Sequence, residues 1–394
     1  MTERKQQHQL VFGATTIDAL ALGLYLASAG LFLNLVIGMA PGAVGLVLGI
    51  GGAASMIGAI PIARLTERND GTKVLTGLFL ARGGAFLAFA LARDPVSATI
   101  VVTIGGFLNR GIGPIIQSLA LDGAGREQQV GILAKLRALR NAGIGMGGIP
   151  VGLVVATRSD AGFRLMLGAA GVIALSAAAL SLSLPAAPPR TGGENLGRPR
   201  IESGFVKLTV TYGLLTVSGM VLGLGLPLLI VGTNSVPRWT VGGIQVGNTV
   251  MVVLLQVVVS RGSERVTRAR GMLAAGGFVA ALGCMILMML GRTQGWVAVA
   301  LVLACIVVFT MAELWSSAGG MGLLLTFFPE GQRARYLAVF NLGFAGATIA
   351  GPPLVGLAVS HQPWSWAAFA VLFVAVAGFA LTLQPGQHVE HTER

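Results

Sequence analysis

Apolar runs of roughly 20 residues, divided by short charged or Pro/Gly-rich breaks, recur along the whole chain. They begin near Val11, Ala43, Val74, Val96, Leu139, Gly162, Phe205, Val241, Gly271, Gly295, Tyr336 and Trp364. A helix rises about 1.5 Å per residue, so a run of about 20 residues crosses a hydrocarbon layer of roughly 30 Å. The pattern therefore predicts an all-α membrane protein of twelve transmembrane helices. A β-barrel needs short segments of alternating polarity, and these runs are continuous and too long. The stretch from Gly295 to Phe328 exceeds one bilayer thickness and predicts a helix extending beyond the membrane. The pattern fails over residues 185–204, PAAPPRTGGENLGRPRIESG, too rich in Pro, Gly and charge to bury a core. This divides the chain into a six-helix bundle over 1–184, a cytoplasmic linker over 185–204, and a second six-helix bundle over 205–394 with a short C-terminal tail.

Composition agrees. With 54% hydrophobic residues, 11% charged residues and a mean hydropathy of +0.79, the chain is far from the roughly 25% charged content of soluble domains. Its 58 glycines suit close approach between membrane helices. The net charge of +12 comes from short loop clusters without a basic face or interleaved aromatics, which argues against nucleic acid as a partner. Those clusters set orientation. Twenty of the 27 Lys and Arg residues fall on the side holding the N-terminus, and Arg93, Arg158, Arg164, Arg238 and Arg292 fall on the other. Both termini are expected in the cytoplasm; the excess of Arg over Lys suggests a GC-rich bacterial genome, and the expected location is the bacterial inner membrane. The first run is longer than a signal-peptide core and contains Asp18, so it reads as a retained helix.

Few residues offer chemistry. Cys284 and Cys305 lie within spans and are spaced for neither a metal site nor a disulfide framework. His8, His361, His388 and His391 lie in the termini and one outer loop. No metal, cofactor or enzymatic activity is expected, and without a Gly-x4-Gly-Lys-Ser/Thr motif the energy source is expected to be an ion gradient.

Four charges do lie inside the apolar runs: Asp18, Arg82, Arg110 and Glu313. A mid-membrane charge costs roughly 2.5–3.5 kcal/mol on insertion scales, so such groups persist when paired or when lining a solute or proton path. Asp18 shares a helical face with Leu22 and Tyr25, while Arg110 is preceded by Asn109 and followed at i+7 by Gln117. Glu313 is next but one to Trp315, with Ser316 and Ser317 beyond. Asp18, Glu313 and Arg110 are the candidates for proton coupling or substrate binding. The plainer alternative is fixed pairing that holds helices together. Tyr25, Asn109, Gln117, Tyr212, Gln245, Asn248 and Trp315 are further cavity-lining candidates, Arg82 is expected to snorkel, and Asp70 and Asp122 read as loop or cap residues.

The two halves look related. ERNDGTKVL at 67–75 has a counterpart in ERVTRARGML at 264–273, and GIGMGGIPVG at 143–152 in GATIAGPPLVG at 346–356. Repeats of this kind place a site near the bilayer midplane. Together these features resemble the major facilitator superfamily over nearly the whole chain. Gly58, Glu67, Arg68, Gly71 and Lys73 resemble its cytoplasmic motif between spans two and three, with one extra residue, and Glu264, Arg265 and Arg268 resemble the second-half copy. Arg110, Gly113 and Gln117 match its fourth-span motif. Gly147, Gly148 and Pro150 partly match the fifth-span antiporter signature, and Gly351-Pro352 carries the intact Gly-Pro pair in span eleven. Arg137, Arg140, Asn141 and Glu313 look like the drug-exporting branch. The resemblance implies a monomeric alternating-access transporter that exports a small amphipathic or hydrophobic compound in exchange for protons. It implies latching by the cytoplasmic motifs, packing or hinge roles for the glycines and prolines, and a common space for Asp18, Arg110 and Glu313. A proton-coupled importer or uniporter of an organic anion is the alternative.

Overall fold

The computed structural model describes residues 2–122, 126–157, 159–187, 202–234, 236–327 and 333–384. Most of the expected linker, over 188–201, lies outside them, as does the side chain of Arg137. Twelve helical spans are long and apolar enough to cross a membrane, and among the described residues there is no strand. The helices are α1 (Thr2–Leu35), α2 (Pro41–Arg68), α3 (Gly71–Leu91), α4 (Pro95–Leu121), α5 (Arg126–Gly148), α6 (Val151–Thr157) and α7 (Asp160–Ser181). They continue as α8 (Ser203–Met220), α9 (Leu226–Thr233), α10 (Thr240–Val259), α11 (Val266–Leu290), α12 (Gly295–Leu325), α13 (Arg333–Ser360) and α14 (Trp364–Leu381).

Two spans are interrupted. The fifth is α5 plus α6, broken at Ile149-Pro150, where proline supplies no backbone donor. The seventh is α8 plus α9, joined by a π-helical turn over Val221–Gly225 just before Pro227. The tenth runs unbroken for 31 residues, as its length in the sequence predicted.

Two compact units form. One comprises residues 1–39 and 47–196, the other 40–46 and 197–394, so the first turn of α2 groups with the C-terminal residues. Within the first unit α1 packs on α5 and α7, and α3 on α7 and α4. Within the second, α8 packs on α13 and α14, and α11 on α14 and α12. Counted by span, these are the same pairings, as expected of a duplicated six-helix design.

Glycines allow the closest crossings. A Cβ on Gly147 would lie 2.4 Å from the Leu20 carbonyl oxygen, and one on Gly58 2.1 Å from that of Phe107. Gly351 faces Met220 of α8, and the Pro352 carbonyl meets Gly45 at the start of α2. Gly147, Gly58 and Gly351 are thus packing positions. Gly148 is the last residue of α5, and Pro150 sits in the break after it.

Candidate functional site

In the first unit, α5 presses Gly143 and Gly147 onto α1 between Thr16 and Leu24, the stretch that carries Asp18. Asp18 and Arg82 are each only 1% exposed, and they form an ion pair. The Arg82 Nη1 also donates to Asn109 Oδ1 at 3.3 Å. The Phe79 and Phe86 rings flank the guanidinium at 5.8 and 5.7 Å from its Cζ. Tyr25 stacks on Phe86 at 4.7 Å. α1, α3 and α4 thereby enclose a charge pair in an aromatic box, and cation–π attraction adds to the Coulombic term.

This corrects two expectations. Arg82 does not snorkel: it is fully buried and is the counter-ion of Asp18. Arg110 is not the partner of Asp18. It is half-buried and makes no ion pair or side-chain hydrogen bond among the described residues. The physical reason lies on α4, where Asn109 and Arg110 point about 100° apart, so that Asn109 meets α3 and Arg110 does not. Asp18 is accordingly sealed rather than open to a shared space.

One turn beyond Arg110, Gly113 faces a guanidinium from α5. Arg140 Nη1 of α5 lies 3.8 Å from where a Gly113 Cβ would be. Arg140 is half-buried and likewise has no ion pair or side-chain hydrogen bond among the described residues. Gln117, two turns beyond Arg110 on the same stripe, is exposed.

In the second unit, Glu313 stands past the midpoint of α12 and is exposed, although α8 and α10 crowd it closely. Asn248 Nδ2 of α10 donates to Glu313 Oε2 at 3.2 Å and to Thr310 Oγ1 at 3.1 Å. Gly219 of α8 comes near enough that its Cβ would sit 4.0 Å from Oε2. Ser316 points away, buried against Gly276 of α11. Tyr212 is half-buried, stacks on Phe340 at 4.5 Å and packs against Gly320. Trp315 and Gln245 are half-buried. Asn248 is the donor that helical spacing on α12 alone could not identify.

The first cytoplasmic motif is anchored by an acid beside the expected ones. Glu67, Arg68, Lys73 and Glu264, Arg265, Arg268 are exposed and form no ion pair among the described residues. The working acid is Asp70, which accepts from the N–H groups of Thr72 at 2.8 Å and Lys73 at 3.4 Å, capping α3, and from that of Ala187 at 3.1 Å. Thr72 Oγ1 adds a bond to the Pro185 carbonyl at 2.8 Å, and the buried Gly71 donates its N–H to the Ala187 carbonyl. Partial burial raises the Asp70 pKa, but the three N–H groups and the charge of Lys73 outweigh it and hold the carboxyl below its ordinary range.

Twelve spans in two six-helix units with this pairing define the major facilitator fold, and the chain is an integral membrane protein. Solved structures carry the same fold. A mutant of the peptide transporter POT in complex with sulfate superposes with a TM-score of 0.75 at 13% identity, covering 95% of this chain and 93% of that one. A mutant of the nucleoside transporter NupG gives 0.72 at 12% identity, over 96% and 98%. A bacterial homologue of the human lysosomal transporter Spinster, inward-facing and unoccupied, gives 0.73 at 13%, over 96% of each chain. No sequence-family profile matches the chain, and no curated relative matches it.

Proposed function

We infer that the chain is a secondary transporter working by alternating access, which exports a small amphipathic or hydrophobic compound in exchange for protons across a bacterial inner membrane. The reading rests above all on Glu313. A carboxylate past the midpoint of an apolar 31-residue helix, with one amide donor and no counter-charge among the described residues, is placed to take up and release a proton. Protonation removes the charge that Asn248 stabilises and weakens the bond from the amide to the carboxyl relative to its bond to Thr310. That change in local bonding biases the two facing states, which is all that coupling requires. The Asp18–Arg82 pair takes no part in the proton cycle in this scheme, since its acid already has a full counter-charge. It holds α1, α3 and α4 as one block. No cofactor or covalent step is involved, and the protein acts as a monomer.

The test is accumulation of a dye and antibiotic panel in efflux-deficient bacteria, with exchange measured in proteoliposomes. The wild type should lower accumulation of at least one compound, and a protonophore should abolish the effect. Glu313→Gln should lose proton-driven export while keeping substrate-for-substrate exchange. Protonophore-sensitive export at the wild-type rate by Glu313→Gln would remove Glu313 from the mechanism. Uptake of an organic anion in place of export is the second reading, favoured by Arg110, which has no ion-pair partner among the described residues, and the same assay would register it as raised accumulation.

A further inference from the structure

Helical geometry brings a third charge to the Asp18–Arg82 pair. Asn109 and Gly113 stand at i and i+4 on one face of α4, roughly 6 Å apart along its axis. Asn109 Oδ1 accepts from Arg82 Nη1, and Arg140 Nη1 of α5 lies 3.8 Å from the Cβ position of Gly113. Two guanidinium groups thus sit one turn apart on the same helix face, and Arg82 feels the charge of Arg140. The approach of α5 is fixed from its other side. Gly143, one turn after Arg140, packs on α1 against Thr16, Ala19 and Leu20, the residues around Asp18. Two cations therefore share one acid. Asp18 pairs with Arg82, and Arg140 has no ion pair or side-chain hydrogen bond among the described residues. Asp70 and Asp94 cap α3 and α4, and Asp122 follows the end of α4, roughly 13 Å beyond Gly113 along the axis. The Arg82 side chain, 1% exposed, also keeps an Nε donor with no acceptor among the described residues.

We propose that Asp18, Arg82 and Arg140 form a site for one compact monovalent anion, an inorganic halide or a small carboxylate, bound at Arg140. The cluster carries a single positive charge in excess inside apolar helices, where an uncompensated charge is costly. One negative charge cancels it. A dianion overshoots to the opposite sign and regains the same cost, so valence sets the selectivity. Arg140 is half-buried, which leaves it open to a small ion, and Gly113 puts no side chain before its Nη1. The guanidinium offers a planar fork that a carboxylate meets in two parallel hydrogen bonds, whereas a halide takes the same N–H groups as a point charge. All of these residues belong to the first unit, and the inference does not rest on proton uptake by Glu313 in the second.

The test uses the full chain in detergent and needs no transport. Thermal melting is followed as chloride, formate or sulfate replaces the bulky anion gluconate at constant ionic strength. Chloride or formate should raise the melting temperature in a saturable way, and sulfate should not. Arg140→Gln should melt above the wild type in gluconate, because it removes the uncompensated charge, and should bind the effective anion about tenfold or more weakly. Arg140→Lys separates the two sources. It should keep a halide response but lose most of a carboxylate response, since an ammonium has no fork. Arg93→Gln, at an exposed position, should respond as the wild type does. Equilibrium dialysis with radiolabelled chloride and formate reads the wild type directly, and a single saturable site is expected. No saturable binding of either anion overturns the proposal, as does an equal shift with sulfate, which is screening alone. An undiminished shift in Arg140→Gln overturns it too. So does an Arg140→Gln protein that melts below the wild type in gluconate, because its guanidinium was then already compensated.

Discussion

Removing the acid of the buried pair, Asp18→Leu, leaves the Arg82 guanidinium charged at a position 1% open to solvent. The Asn109 bond at 3.3 Å and the two flanking rings are present before and after the change, so they offset nothing. Stranding one member of a buried ion pair costs about 3–5 kcal/mol. Arg82→Met should cost less, because the stranded carboxyl can take a proton and become neutral, and a guanidinium cannot. Asp18→Leu with Arg82→Met removes both charges into an aromatic surround, and should return to within about 1–2 kcal/mol of the wild type. Loss of helicity in a detergent-to-SDS titration, followed by circular dichroism, reads all four proteins on one scale. The ranking expected is Asp18→Leu least stable, then Arg82→Met, then the double variant. A double variant whose destabilisation equals the sum of the two singles would refute the pairing, since independent sites add and partners do not.

Two further tests address packing and capping. Gly147→Ala would put a methyl 2.4 Å from the Leu20 carbonyl and 2.7 Å from the Leu24 nitrogen, both backbone atoms that cannot turn aside. A loss of about 1–3 kcal/mol is expected in the same titration, whereas Gly168→Ala, with nothing within 4 Å, should be neutral or slightly stabilising. Asp70→Ala removes the α3 cap and the tie to Ala187, and should cost about 1 kcal/mol. Because the Asp70 carboxyl is held below its ordinary range, its contribution is complete at neutral pH and lost as pH falls. The gap between wild type and Asp70→Ala should stay flat from roughly pH 8 to 5 and close only in more acid solution.

The twelve spans were legible because each must carry enough apolar residues to cross a bilayer, a demand every span meets separately. The intramembrane charges were equally visible, since any charge stands out in such a background. Their partners were not. Helical periodicity says which face of α4 holds Asn109 and which holds Arg110, but not which neighbouring helix each face meets. That is why Arg82 seemed peripheral and Arg110 seemed central. Asn248 was visible as a polar residue, but its bond to Glu313 was not, because that depends on which helix α10 meets. In the cytoplasmic motif the neighbouring Glu67-Arg68 pair drew attention, yet capping geometry selects Asp70, the residue immediately before the first N–H groups of α3. The grouping of residues 40–46 with the second unit has no signature in composition, since α2 is one unbroken apolar helix.

The Asp18–Arg82 pair also bears on how the protein is made. The acid belongs to the first span and its counter-ion to the third, so during synthesis the carboxylate reaches the bilayer before the guanidinium exists. At roughly 5–20 residues per second the interval is several seconds, long beside helix formation. Over that interval the carboxyl either stays near the interface or enters the lipid phase protonated, and the buried ion pair forms only once α3 arrives. Order of emergence from the ribosome, and not hydrophobicity alone, then decides when the N-terminal bundle closes.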